Sequence, residues 1–249
     1  MLPLISCLCL TRNRPIFLEK SIRCFLLQTY ANKELVILYL EDDIATKKVL
    51  NTIKDNRIVS FAIDPKLNLT TGELRNLSIQ YCNGDYFCQW DDDDWNHCER
   101  LQIQMDGILK SKKSASILTK WFIYDLKKKQ VFLSCNGPWA GSLLCSKKLI
   151  NRNIKYPNRD KKEDSIFLGK LLKLNCLYPI QVPQLYIYVF HGNNTWDEEH
   201  FRKMFARSKK MTKEINDMVD AIISDKIPGE EGALLLNSSQ VLKEIDYFN

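Results

Sequence analysis

The sequence predicts an α/β fold, a mostly parallel sheet flanked by helices, followed by a C-terminal helical extension. Two observations carry the prediction. Apolar strand-like runs alternate with helix-periodic ones through the first half, the pattern of parallel strands joined by crossover helices. Three of the strand-like runs end in polar or acidic residues: Thr11-Arg12-Asn13, Glu41-Asp42-Asp43 and Asp91-Asp92-Asp93-Asp94. Ligands bind beyond the carboxyl ends of the strands in such sheets, so these ends should converge on one edge.

In order, residues 4–10 read as an apolar strand broken by Thr11-Arg12-Asn13-Arg14-Pro15. Asn13 is the expected N-cap of the next helix, residues 17–27, and Pro15 suits its first turn. Residues 34–40 and 58–63 read as strands, residues 72–82 as a helix, and residues 86–88 as a short buried strand. A helix-like run follows at 98–109. In the second half, residues 116–124 and 131–134 read as strands joined across Lys127-Lys128-Lys129, with another at 143–145. Glu163-Asp164 opens a helix, where the helix dipole favours carboxylates. Residues 185–190 form a last strand, and residues 197–223 read as one basic amphipathic helix before a weakly patterned tail. The expected division is 1–196 (halves 1–95 and 96–196), with 197–249 as the extension.

The acidic run is the chemical centre. Four adjacent carboxylates, bracketed by Trp90 and Trp95, follow an apolar strand. Anions so placed repel one another and serve no apolar core. Opposed by a hard divalent cation, Mn²⁺ or Mg²⁺, they can share it with a substrate diphosphate.

At 249 residues the chain can bury a substantial core, and its net charge of +6 is spread over several lysine clusters. That suits an anionic ligand but does not argue for nucleic acid. No stretch approaches the ~20 apolar residues of a membrane span. Nine scattered cysteines and no signal-peptide pattern predict a reducing, cytoplasmic compartment. The basic helix at 197–223 is compatible with a peripheral contact on a membrane's cytoplasmic face, although such a stripe more often covers the protein's own core.

The chain from Pro3 to about Trp196 resembles a family 2 glycosyltransferase of the GT-A fold, a Rossmann-like nucleotide-binding architecture. Seven segments in the right order carry the resemblance. They are Pro3 through Asn13 with Arg14-Pro15; Gln28-Thr29-Tyr30 with Glu34-Leu35; Gly72-Glu73-Leu74-Arg75-Asn76 leading to Gly84-Asp85-Tyr86; the run WDDDDW; Gly141-Ser142-Leu143-Leu144; Glu163-Asp164; and His191-Gly192 with Trp196. The resemblance implies that Thr11, Asn13 and Arg75 line the nucleotide pocket. Asp91 would contact the ribose and the metal region, with Asp92 beside it at the donor. Asp93 would ligate the metal, and Asp94 would sit beside the metal or the donor sugar. His191 would contact the metal or the diphosphate. Asp164 would be the catalytic base, with Glu163 as alternate. Where the family usually has Asp-Asp after the second strand to hold the base, this chain has Glu41 and Asp42, either of which would take that role from a shifted turn. Uridine is the default base, so a UDP-sugar is the expected donor and a glycan or lipid-linked glycan the expected acceptor. Trp139 is a candidate to stack on a sugar ring.

The chemistry fits these residue types. A divalent metal neutralises charge developing on a diphosphate leaving group. An attacking hydroxyl needs a base within hydrogen-bond reach, and one displacement inverts the anomeric carbon. A nucleotidyltransferase would open with a Gly-rich phosphate loop, yet the turn after the first strand contains no glycine. A glycoside hydrolase would need paired carboxylates and no metal. A non-catalytic nucleotide-sugar binder would not need Asp91, Asp93 and Asp164 together.

Overall fold

A computed structural model describes residues 2–152 and 154–246. The first half alternates as the periodicity predicts: β1 (Ile5–Leu10), α1 (Pro15–Leu26), β2 (Lys33–Leu40), α2 (Ile44–Thr52), β3 (Ile58–Ile63), α3 (Thr71–Tyr81) and β4 (Tyr86–Gln89). After the acidic run come β5 (Trp95–Asn96), α4 (Arg100–Ser111), β6 (Ala115–Leu118), β7 (Phe122–Asp125), β8 (Gln130–Leu133) and β9 (Leu144–Ser146). Then follow α5 (Glu163–Lys173), β10 (Leu177–Ile180), β11 (Tyr186–Phe190), α6 (Glu198–Arg207), β12 (Lys209–Lys210), α7 (Lys213–Ile223), α8 (Gly229–Leu236) and α9 (Ser239–Asp246).

Seven strands form the main sheet in the order β10-β6-β9-β4-β1-β2-β3, parallel except for β9. The remaining five form a second, mixed sheet, β12-β8-β7-β11-β5. Both faces of the main sheet are covered, so its strands are apolar on both sides. Along β1, Ile5, Cys7 and Cys9 join a cluster with Phe25 of α1 and Met105 of α4, whereas Leu8 joins Ile79 of α3 and Phe167 of α5. That is the two-residue period of a strand between two helical layers. All nine cysteines are free thiols, seven of them buried.

Three expectations are corrected. The strand read at 116–124 is two strands in different sheets, because the chain crosses between sheets at Thr119-Lys120-Trp121. There the carbonyls of Leu118, Thr119 and Trp121 accept from Trp139, Gly137 and Ser134. The single helix read at 197–223 is α6 and α7, separated where Lys209 and Lys210 pair with β8. Helical periodicity continues through that break, but the open edge of β8 captures the backbone, and the Met211 N–H donates to the Val131 carbonyl. The tail beyond it, weakly patterned as sequence, contains α8 and α9, whose Leu236, Val241 and Ile245 enter the main cluster.

The apolar stripe of α6 faces inward. Phe201 is fully buried, its ring 5.0 Å from Tyr188 and 4.3 Å from Phe190. This stripe therefore covers the second sheet. No helix among the described residues is long and apolar enough to cross a membrane. Replacing Phe201 with Ala should cost about 3–5 kcal/mol, the range for emptying a large aromatic site. Urea unfolding checks this, and a loss below about 1 kcal/mol would mean that α6 does not close the core.

Candidate active site

The two sheets meet at the acidic run, which leaves the end of β4 beside the end of β1, its parallel neighbour. Thr11, just past β1, donates its hydroxyl to Asp92 Oδ2 at 2.7 Å. Beneath the run lies Arg100, fully buried between the rings of Trp90 and Tyr186, at 5.3 and 5.0 Å. It donates to the carbonyls of Gln89 and Gly141 and to the side chains of Gln104 and Asn96. This bracing fixes the backbone from which the aspartates project.

The four carboxylates diverge. Asp91 Oδ1 meets Arg75 Nη2 at 3.3 Å, and its Oδ2 accepts from Gln89 Nε2 at 3.2 Å. Asp92 takes Thr11 and, at 3.2 Å, Arg14 Nη1. Asp93 Oδ2 takes Arg14 Nη1 at 2.7 Å, His191 Nε2 at 3.1 Å and Asn194 Nδ2 at 3.5 Å. Asp94 turns the other way and is buried, accepting from the Tyr186 hydroxyl and the Val189 N–H. Burial first, and then the charge of Asp93, push Asp92 up to about 7 against the pull of Arg14 and Thr11. Asp94 is also held well above the usual carboxylate range, by burial first and then by Asp93 and Asp91.

Asp91, Asp92 and Asp93 line a cleft of about 440 Å³, within the usual range for small-molecule sites. Its lining includes apolar Leu38, Leu40, Ile63 and Leu74, together with Trp139, Asp164 and Trp196. Thr11, Arg75 and Glu163 also line it.

The helix α5 is coupled to the acidic run through Arg75. The Arg75 Nε bonds Glu163 Oε1 at 3.0 Å while Nη2 reaches Asp91, so one half-buried cation ties α3 to both. Burial works to discharge Arg75, but Asp91 and the other anions around it outweigh this and hold it charged. Glu163 is buried, and desolvation raises its carboxyl against the pull of Arg75. Asp164, the next residue, is half-buried on the cleft wall, with Oδ1 accepting from the Ser165 N–H and hydroxyl.

Other candidates sit differently from expectation. Asn13 is exposed outside the cleft lining and does not cap α1. Its backbone is left-handed at φ 52°, and Arg14 takes the capping position without a side-chain bond. The Asn13 N–H instead donates to Asp43 Oδ2 at 2.5 Å. Glu41 and Asp42 are exposed and outside the lining, whereas Asp43 is buried and caps α2 through Thr46. Burial would raise the Asp43 carboxyl, but hydrogen bonds from Thr46 and Asn13 outweigh it and hold it below the usual range. Asp94 does not line the cleft. Trp139 does, with its ring stacked on Trp121 at 4.7 Å and tilted against Tyr188 at 4.8 Å. His191 is nearly buried beside Phe17, 4.4 Å away. Its Nδ1 accepts from the Asn193 N–H, which leaves Nε2 as the donor to Asp93.

Sequence reasoning missed Arg14 and Asn194. Each meets Asp93 from far along the chain, 79 and 101 positions away, so no local pattern marks them.

A mostly parallel nucleotide-binding-type sheet, with a second sheet meeting it at an acidic strand end, is the GT-A architecture. It matches S. aureus TarS 1–349 in complex with UDP-GlcNAc at a TM-score of 0.61 and 12% identity, over 97% of this chain and 78% of that one. It also matches the mannosyltransferase PcManGT from Pyrobaculum calidifontis, in complex with GDP-Man and Mn²⁺, at 0.59 and 13%, over 99% and 79%. Residues 6–164 match the Glycosyl transferase family 2 model, and the chain belongs to that family. An uncharacterized glycosyltransferase of Haemophilus influenzae is 30% identical over 115 residues, 44% of each chain. The chain thus spans less than half of that relative, and it covers 43% of a longer TarS chain.

Replacing Arg75 with Met should cost about 3–5 kcal/mol at neutral pH, because it leaves a buried carboxylate without its cation. Glu163, already raised by burial, would rise further. A group whose folded pKa exceeds its unfolded one stabilises the fold below the unfolded value and loses that stability as pH rises, so acidification should restore part of the deficit. Urea unfolding at about pH 5 and about pH 7.5 measures this, and an equal deficit at both would show that Glu163 is not the stranded group.

Proposed function

We propose that this chain transfers a sugar from a nucleotide diphosphate sugar, expected to be a UDP-sugar, to the hydroxyl of a glycan or lipid-linked glycan, with inversion and with Mn²⁺ or Mg²⁺. The observation that carries this reading is one cleft at a strand-end edge that is lined by Asp91 to Asp93 and by Asp164. Its apolar side chains suit a nucleoside base, and its carboxylates a diphosphate with metal. TarS and PcManGT, solved with UDP-GlcNAc and with GDP-Man and Mn²⁺, support a nucleotide-sugar donor.

The donor set fits a hard divalent cation. No cluster of three His, Cys, Asp or Glu side chains among the described residues forms a closed metal cage. Mg²⁺-type sites commonly need only one or two carboxylates, with substrate phosphates and water completing the shell. Asp93 and Asp91 would hold the ion. When bound, it supplies charge neutralisation for the departing diphosphate. Asp94 is committed to Tyr186 and Val189, which supports a structural role, and His191 acts through Asp93.

Asp164 would take the proton of the attacking hydroxyl, since it faces the cleft while Glu163 is held by Arg75. Glu163 and Arg75 then act as positioning residues that relate the base helix to the acidic floor. The segment 191–196, tied to Asp93 by His191 and Asn194 and to Arg14 through the Asn193 carbonyl, walls the site through Asn194, Thr195 and Trp196.

Thermal unfolding against UDP, GDP and their sugars, with and without Mn²⁺, tests the donor site. A ligand at ~100 times its Kd should add roughly 2.7 kcal/mol, and only in the presence of Mn²⁺. No stabilisation by any of them would sink the reading. Asp164→Asn should lower transfer by about 10²–10⁴-fold, the usual worth of a general base, while donor binding survives. Asp93→Asn should abolish both transfer and the Mn²⁺-dependent part of the shift. Normal turnover in either variant would remove that residue from its role.

A further inference from the structure

The acidic run is balanced by a cation from the start of α1. Arg14 Nη1 lies 3.2 Å from Asp92 Oδ1 and 2.7 Å from Asp93 Oδ2, and Nη2 donates to the Asn193 carbonyl at 2.7 Å. The side chain is 23% exposed and lines the same cleft as the two carboxylates.

Backbone geometry aims this guanidinium. The left-handed Asn13 and its bond to Asp43 buckle the turn, Thr46 fixes Asp43, and Pro15 starts α1 immediately afterwards. Asp93 Oδ2 receives Arg14, His191 and Asn194 together. Of the three donors, His191 is also held by Asn193, and Asn194 by the Val189 carbonyl. Arg14 brings a guanidinium to that oxygen. At the cleft floor, Asp91, Asp92 and Asp93 thus face two guanidinium groups, Arg75 and Arg14.

We propose that Arg14 is a resident counter-cation that competes with the divalent metal for Asp93, an inference that rests on the donor-site reading above. A guanidinium and a divalent cation on the same carboxylate repel strongly in a partly desolvated site. The metal alone therefore binds weakly. A nucleotide diphosphate changes the balance, because its oxygens accept a guanidinium fork as readily as a carboxylate does. Arg14 can then exchange carboxylate for phosphate, and metal and nucleotide reinforce each other. Such coupling is reciprocal, so the residue makes each ligand select for the other.

Mn²⁺ binding to the whole protein, read from the electron paramagnetic resonance signal of the free ion, tests this with and without UDP or GDP. Arg14→Gln should bind Mn²⁺ alone at least about fivefold more tightly than the parent, and the added gain from nucleotide should shrink by a similar factor. Arg14→Lys keeps the charge and should stay near the parent. If the Gln variant does not unfold cooperatively, Arg14→Met is read the same way. Mn²⁺ affinity unchanged or weakened on losing the charge overturns the proposal. Failure of the donor-site reading looks different: neither UDP nor GDP then binds the parent with Mn²⁺, whatever the variants do with the metal alone.

Discussion

Mutual repulsion among four adjacent carboxylates, placed at the buried end of a strand, is the constraint on which this structure turns. Burial makes each charge costly, and adjacency makes the cost cumulative. The fold answers by dispersing them. Asp91 faces α3, Asp92 the end of β1, and Asp93 and Asp94 two different levels of β11 and the segment beyond it. The partners come from several elements, so satisfying the run ties α3, the first turn and β11 to it.

That dispersal divides the labour within one short run. Three aspartates reach the cleft, and the fourth becomes a fastening between the sheets. Asp43 shows the same division at the end of β2. Of three acidic residues there, the innermost buckles the turn that carries Arg14, and the outer two face solvent. Buried carboxylates around this site thus act through hydrogen bonds that set geometry, and the ones left at the cleft surface are those suited to a ligand.

The last quarter of the chain belongs to the same physical unit. β12 extends the second sheet, α6 covers it, and α7 to α9 close the layer over α1 and α4. The Tyr124 hydroxyl donates to Asp220 of α7, and Lys20 of α1 donates to the Ile223 carbonyl. A polar lattice of this kind fixes α1, and with it the angle at which Arg14 meets the acidic run.

Local pattern was enough for the alternation of strands and helices through β4, because burial on both faces leaves unbroken apolar runs and crossover helices leave a 3.6-residue period. It was also enough to mark the acidic run as a candidate metal site, whereas Arg75 and the Glu163-Asp164 pair were singled out only by the resemblance to family 2 glycosyltransferases. Breaks that depend on a distant partner were invisible. The switch of sheets at Thr119-Lys120-Trp121 and the strand inside the expected long helix both exist because a remote backbone edge captures the chain. The direction of each aspartate, the ring partners of Trp139 and the presence of Arg14 belong to the same class. Sequence by itself determined which residues carry charge and where strands end. Only the tertiary structure decided which charge meets which, because electrostatic partners here are chosen by proximity across sheets and not by spacing along the chain.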